Sequence, residues 1–174
     1  MRNERCEEKR NEYREEIETG LSQYEAEIKT GNSVLDTILT SKSDICLKHG
    51  ITFTVVADGK LLSYLHVMDL CTIFGNALDN AIEYELQLKN PETRMIHVKI
   101  SRKKKFICIL VENYYEGSWN GKGDLPETTK KNRNYHGYGL KSMQYSVKKY
   151  GGYQNTNVAD NWFRVEMLLP GAEA

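Results

Sequence analysis

Between residues 70 and 88, apolar side chains recur with helical spacing. Leu70, Phe74, Ala77, Leu78, Ala81 and Leu88 fall on one broad arc, while Asn76, Asn80 and Tyr84 step along its border at i, i+4 and i+8. The spacing predicts a helix stopped by Pro91. Residues 31–50 read as an earlier helix, with Val34, Leu35, Ile38, Leu39, Ile45 and Cys46 inward and Gly50 as its stop. A third helix is expected over residues 140–150, where Leu140, Met143, Val147 and Tyr150 share a face; Gly137 and Gly139 precede it and Gly151-Gly152 ends it.

The strand periods lie between these helices. Residues 51–57 (ITFTVVA) predict a strand, and Asp58-Gly59 a turn leading on to the residue 70–88 helix. MIHVKISRK and KFICILVEN, residues 95–113, alternate or run apolar and predict a hairpin of central strands; GYQNTNV (152–158) and WFRVEMLLP (162–170) predict two more. Residues 114–136 have no apolar period and are crowded with Gly, Asn, Lys and Thr, the composition of a long functional loop. Ahead of everything, residues 1–30 are rich in Glu, Lys and Arg, and Tyr13, Ile17, Leu21, Tyr24 and Ile28 form a narrow stripe suited to a partner helix. Helices and strands alternate without a regular βαβ repeat. The expected fold class is therefore a two-layer α+β sandwich, a mixed and mostly antiparallel sheet packed on helices, with an N-terminal helical extension.

At 174 residues the chain suits one domain plus that extension. Its formal net charge of zero proposes neither nucleic acid nor an anionic membrane as partner. Basic clusters at residues 102–105 and 130–133 are local, the first fitting a solvated hairpin turn. Cys6, Cys46, Cys71 and Cys108 are scattered without metal-type pairing and read as reduced, mostly packed thiols of a cytoplasmic protein. No apolar run approaches the ~20 residues of a membrane span, and no signal peptide is visible.

Two features carry candidate chemistry. A carboxamide wants up to four hydrogen bonds, so Asn76 and Asn80 aligned beside a buried arc suggest a ligand rather than a core. Gly137 and Gly139 before an amphipathic helix are how an anion-receptive helix N-terminus is built, because glycine admits close backbone approach and the free N–H groups favour phosphate.

In this order, with a long polar loop between them, the two stretches resemble the GHKL superfamily of gyrase, chaperone, histidine-kinase and mismatch-repair ATPases. NALDNAIEYE (76–85) is similar to its N-box and HGYGLKSM (136–143) to its second glycine box. With TGNSVLDTILTSK (30–42), KKYGG (148–152) and FRVEMLLP (163–170), the chain resembles more narrowly the peptide-receptor histidine kinases of the accessory-gene-regulator type. The resemblance implies the Bergerat fold over residues 31–174, with residues 1–30 as the end of the dimerisation and phosphoacceptor region.

It also implies roles. Asn80 matches the magnesium-coordinating asparagine, so Mg²⁺ and ATP are the expected cofactors. Asn76 stands where hydrolysing relatives carry a water-activating glutamate, and an amide cannot take a proton, which favours phosphoryl transfer over hydrolysis. Tyr84 fits an aromatic wall beside the purine. The family's adenine-binding Asp-x-Gly-x-Gly box departs here to ILVENYYEG, with Asn113 at the aspartate position and Tyr115 at the first glycine; weak nucleotide affinity is expected. Residues 114–136 would be the ATP lid, with Lys130, Lys131 and Arg133 reaching the phosphates and His136, Gly137, Gly139 and Leu140 forming the glycine box. None of His49, His66, His97 and His136 sits in a phosphoacceptor setting, so the substrate histidine is expected on a helix upstream of Met1, within a membrane receptor that forms a homodimer and passes phosphate to a response regulator. Alternatives of the same fold are a nucleotide-sensing or interaction module without kinase activity, an anti-sigma-type serine kinase, and, disfavoured by Asn76, a hydrolase.

Overall fold

The computed structural model describes residues 28–117 and 138–171. The helical stripe before Ile28, the basic residues Lys130, Lys131 and Arg133, and His136 and Gly137 lie outside the described residues.

Helix α1, Ser33–Lys48, begins where the Asn32 side chain accepts from the Leu35 N–H at 3.2 Å, and the chain turns away from its end at Gly50, whose φ of +63° glycine adopts freely. Strand β1, Thr52–Ala57, and a 3-10 turn, Gly59–Leu62, lead to helix α2, Val67–Glu85. Strands β2, Met95–Lys103, and β3, Phe106–Tyr114, follow as a hairpin. Helix α3, Tyr138–Lys149, precedes strands β4, Tyr153–Ala159, and β5, Trp162–Pro170. The five strands lie in the order β1-β2-β3-β5-β4, parallel only between β1 and β2. The expected two-layer sandwich and its central hairpin are present.

Register explains the core. Val98, Val111 and Val165 stand opposite one another across three strands, as do Ile100, Ile109 and Met167, and all six are buried against the helices. α2 answers with Leu70, Ile73, Phe74, Ala77, Leu78, Ala81 and Ile82, all buried. The next row of the sheet is Ile96, Asn113 and Phe163, so the inward period of β3 ends on an amide, 3% exposed.

Three boundaries differ from the sequence expectation. α2 starts at Val67, not residue 70, because the His66 ring accepts from the Met68 N–H at 3.2 Å and caps it. It stops at Glu85, six residues before Pro91: Gln87 and Leu88 turn back to the Tyr84 and Glu85 carbonyls with 3-10 bonds, which folds Leu88 under the core at 6% exposure. α3 already includes Tyr138 and Gly139, so Gly139 lies within its first turn. Among the described residues, Cys46 is buried, Cys108 half-buried and Cys71 exposed, each a free thiol; desolvation pushes the Cys46 thiol up to about 11. Among the described residues no helix is long and apolar enough to cross a membrane.

Candidate nucleotide site

The border of α2 and the first turn of α3 meet at Gly139. A Cβ on that glycine would sit 3.2 Å from Asn76 Oδ1 and 3.5 Å from Asn80 Nδ2, so the helix end approaches both amides as closely as its missing side chain allows. Asn76 is held there, its Nδ2 donating to the Thr72 carbonyl one turn back at 2.7 Å. Asn80 is exposed. A neutral amide oxygen beside a helix N-terminus fits a Mg²⁺ ion that takes its other ligands from phosphate and water. Asp79 points elsewhere, into an exposed ion pair with Lys42 at 2.6 Å.

Eight residues along α2 from Asn76, about 12 Å by helical rise, stands Tyr84. Its ring stacks on Tyr115 at 5.1 Å between centroids, and its hydroxyl accepts from the Glu116 N–H at 3.1 Å. Tyr115 is fixed in turn by its N–H to the Asn161 carbonyl at 2.8 Å and by the Phe163 ring. Tyr115 therefore covers a face of Tyr84, and the two rings form a joint aromatic wall at the end of β3. Leu140 is half-buried, its carbonyl accepting from Gln154 Nε2 at 3.3 Å.

Asn113 lies at the base of this wall, bonded to a residue that the sequence reading passed over. Its Nδ2 donates to Glu85 Oε1 at 3.1 Å and to the Tyr114 carbonyl at 2.9 Å. Glu85 is fully buried, and its second oxygen accepts the Met95 N–H at 2.9 Å. Burial pushes its carboxyl up to about 7, against the pull of these hydrogen bonds and of Arg94. The signal for Glu85 was present: it continues the arc Leu78, Ala81, Ile82 at the next helical step.

The GHKL domain family matches residues 65–170. The chain belongs to that family, whose domains bind ATP. Its fold is that of histidine-kinase catalytic domains. It resembles a nucleotide-free form of the catalytic domain of histidine kinase ThkA, with a TM-score of 0.59 at 16% identity over 80% of this chain and 92% of that one. A mycobacterial sensor histidine kinase, MprB, superposes with a TM-score of 0.53 at 16% identity, covering 82% and 96%. The histidine kinase domain of the Erythrobacter litoralis blue-light activated kinase EL346 gives 0.51 at 15% identity, covering 79% and 59%. No curated protein sequence matches the chain.

Proposed function

We propose that this domain binds Mg·ATP and transfers the γ-phosphate to a histidine on an upstream helix of a sensor kinase, for relay to a response regulator. The observation that carries the reading is the meeting of Gly139 with Asn76 and Asn80, which sets two amides against a helix N-terminus. Likeness to the accessory-gene-regulator receptors narrows it to a peptide-sensing, homodimeric membrane receptor whose cytoplasmic part contains this domain.

Each residue contributes by position. Asn80 would hold Mg²⁺ through its amide oxygen. When bound, that ion neutralises charge on the phosphate oxygens in phosphoryl transfer. The N–H groups at the start of α3 hold phosphate, and the amide of Asn76, already tied to Thr72, orients without accepting a proton. Asn113 offers the base a hydrogen-bond acceptor, with the Tyr84–Tyr115 wall beside it. The nucleophile comes with the phosphoacceptor helix.

Calorimetry with Mg·ATP tests the site. Magnesium-dependent binding is expected in the wild type and lost in Asn80→Ala with the fold retained; equal affinity in the variant would remove the site. An acid-labile, base-stable label passed from [γ-³²P]ATP to a separate phosphoacceptor helix tests the transfer. ATP binding without any such label would favour the nucleotide-sensing module.

A further inference from the structure

The buried pair Glu85 and Asn113 has a fixed polarity. Both hydrogens of the Asn113 amide are engaged, one on Glu85 Oε1 and one on the Tyr114 carbonyl, which leaves Oδ1 as the side chain's unspent acceptor. A reversed amide would set Oδ1 against two acceptors. Glu85 itself cannot turn away, because its other oxygen is held by the Met95 N–H. A purine with a 6-amino group donates to an acceptor at Oδ1, whereas a 6-oxo purine needs a donor.

Resting on the nucleotide-binding reading above, we infer that Glu85 is a specificity-determining positioning residue: it locks Asn113 with Oδ1 as acceptor and so makes the site prefer adenine over 6-oxo purines. Glu85 touches no nucleotide. It acts through Asn113, supplying from α2 a carboxylate behind the base-reading amide.

Glutamine at 85 breaks the arrangement in a definite way. It has one oxygen for two N–H groups. When that oxygen serves Met95, its amide nitrogen faces the Asn113 nitrogen, donor against donor, and only the Tyr114 carbonyl still opposes the reversed carboxamide that would offer a donor to the base. Changing Asn113 to Asp as well gives the introduced glutamine nitrogen an acceptor and leaves a carboxylate oxygen for the base, at the cost of the hydrogen bond to the Tyr114 carbonyl.

The test is the ratio of ATP to ITP affinity, measured by calorimetry with magnesium at about pH 8.5, where Glu85 is a carboxylate, in the wild type, Glu85→Gln and Glu85→Gln/Asn113→Asp, with circular dichroism to confirm folding. A wild-type preference for ATP that falls at least tenfold in the single variant and returns in the double is expected. A ratio unchanged in a folded Glu85→Gln overturns the inference while leaving ATP binding intact. If the single variant does not fold, the double decides: ATP preference supports the pairing and equal affinities overturn it. A wild type that binds neither nucleotide overturns this inference together with the function it rests on, and ATP bound without preference over ITP overturns this inference alone.

Discussion

Glu85 is a fully buried carboxyl group with two N–H groups in front of it, and burial outweighs the two hydrogen bonds. Its ordinary value of 4.5 rises to about 7. Between those values the folded chain holds a proton that the unfolded chain has released, so stability falls as pH rises through this window. The gap corresponds to roughly 3 kcal/mol. Urea unfolding of wild type and Glu85→Gln at pH 5 and pH 8 isolates it, because other groups titrating in the window cancel in the difference. The wild type is expected to lose roughly 3 kcal/mol relative to the variant between the two conditions. Parallel pH profiles would show that the carboxyl is not desolvated as its full burial requires.

At the scale of elements, what matters is how closely α3 comes to α2. Alanine at 139 improves helix propensity, a gain of about 0.5–1 kcal/mol at interior positions. Its methyl, however, would stand 3.2 Å from Asn76 Oδ1, and Asn76 is tied to Thr72 and cannot retreat freely. Gly139→Ala is therefore expected to unfold no earlier than wild type yet to bind Mg·ATP about tenfold more weakly, a difference of about 1.4 kcal/mol. Thermal unfolding and calorimetry on the same preparation separate the two effects, and unchanged affinity would mean that phosphate does not approach here. This meeting was legible in the sequence as two motifs but not as a distance. Hydrophobic period located α1, α2, the hairpin and the last two strands because each repeats over several turns or pleats. It misplaced the end of α2, since Leu88 is apolar in either a helix or a 3-10 turn and only the return of Gln87 and Leu88 to the Tyr84 and Glu85 carbonyls decides between them. It also passed over Glu85. A glutamate on a helix is ordinarily solvated, and its partner Asn113 lies 28 residues away on a strand whose inward alternation ends in an amide. Neither residue announces the other until the register of β3 against α2 is known.

At the scale of the whole molecule, α2 and α3 are clamped at the end opposite Gly139. Asp69, in the first turn of α2, accepts from Ser146 Oγ at 3.0 Å, Lys149 Nζ at 2.7 Å and the Tyr150 hydroxyl at 2.6 Å, while the Tyr150 oxygen accepts from the His66 N–H at 2.9 Å. The hydrogen bond from Lys149, then that from Tyr150, hold the Asp69 carboxyl below its usual value against the cost of its burial. Three donors on one buried carboxylate make this the polar joint between the two helices, and Gly139 reaches the amides only if the joint sets the angle. Asp69→Asn keeps the shape and removes the charge; it is expected to cost about 1–3 kcal/mol of stability and to weaken Mg·ATP binding without touching the nucleotide. Lys149→Met, which removes a solvent-exposed ammonium from the joint, is expected to cost less than Asp69→Asn. The sign in pH follows from the lowered value: the contribution of Asp69 is complete above the ordinary carboxylate range and disappears as pH falls through its folded value. The gap between wild type and Asp69→Asn should therefore close in acid, opposite to the trend at Glu85. Urea unfolding from neutral to acid pH, with calorimetry at neutral pH, checks both parts. A stability loss at neutral pH with ATP affinity unchanged would leave Asp69 as a fastening of the fold and show that the angle between the helices is set elsewhere.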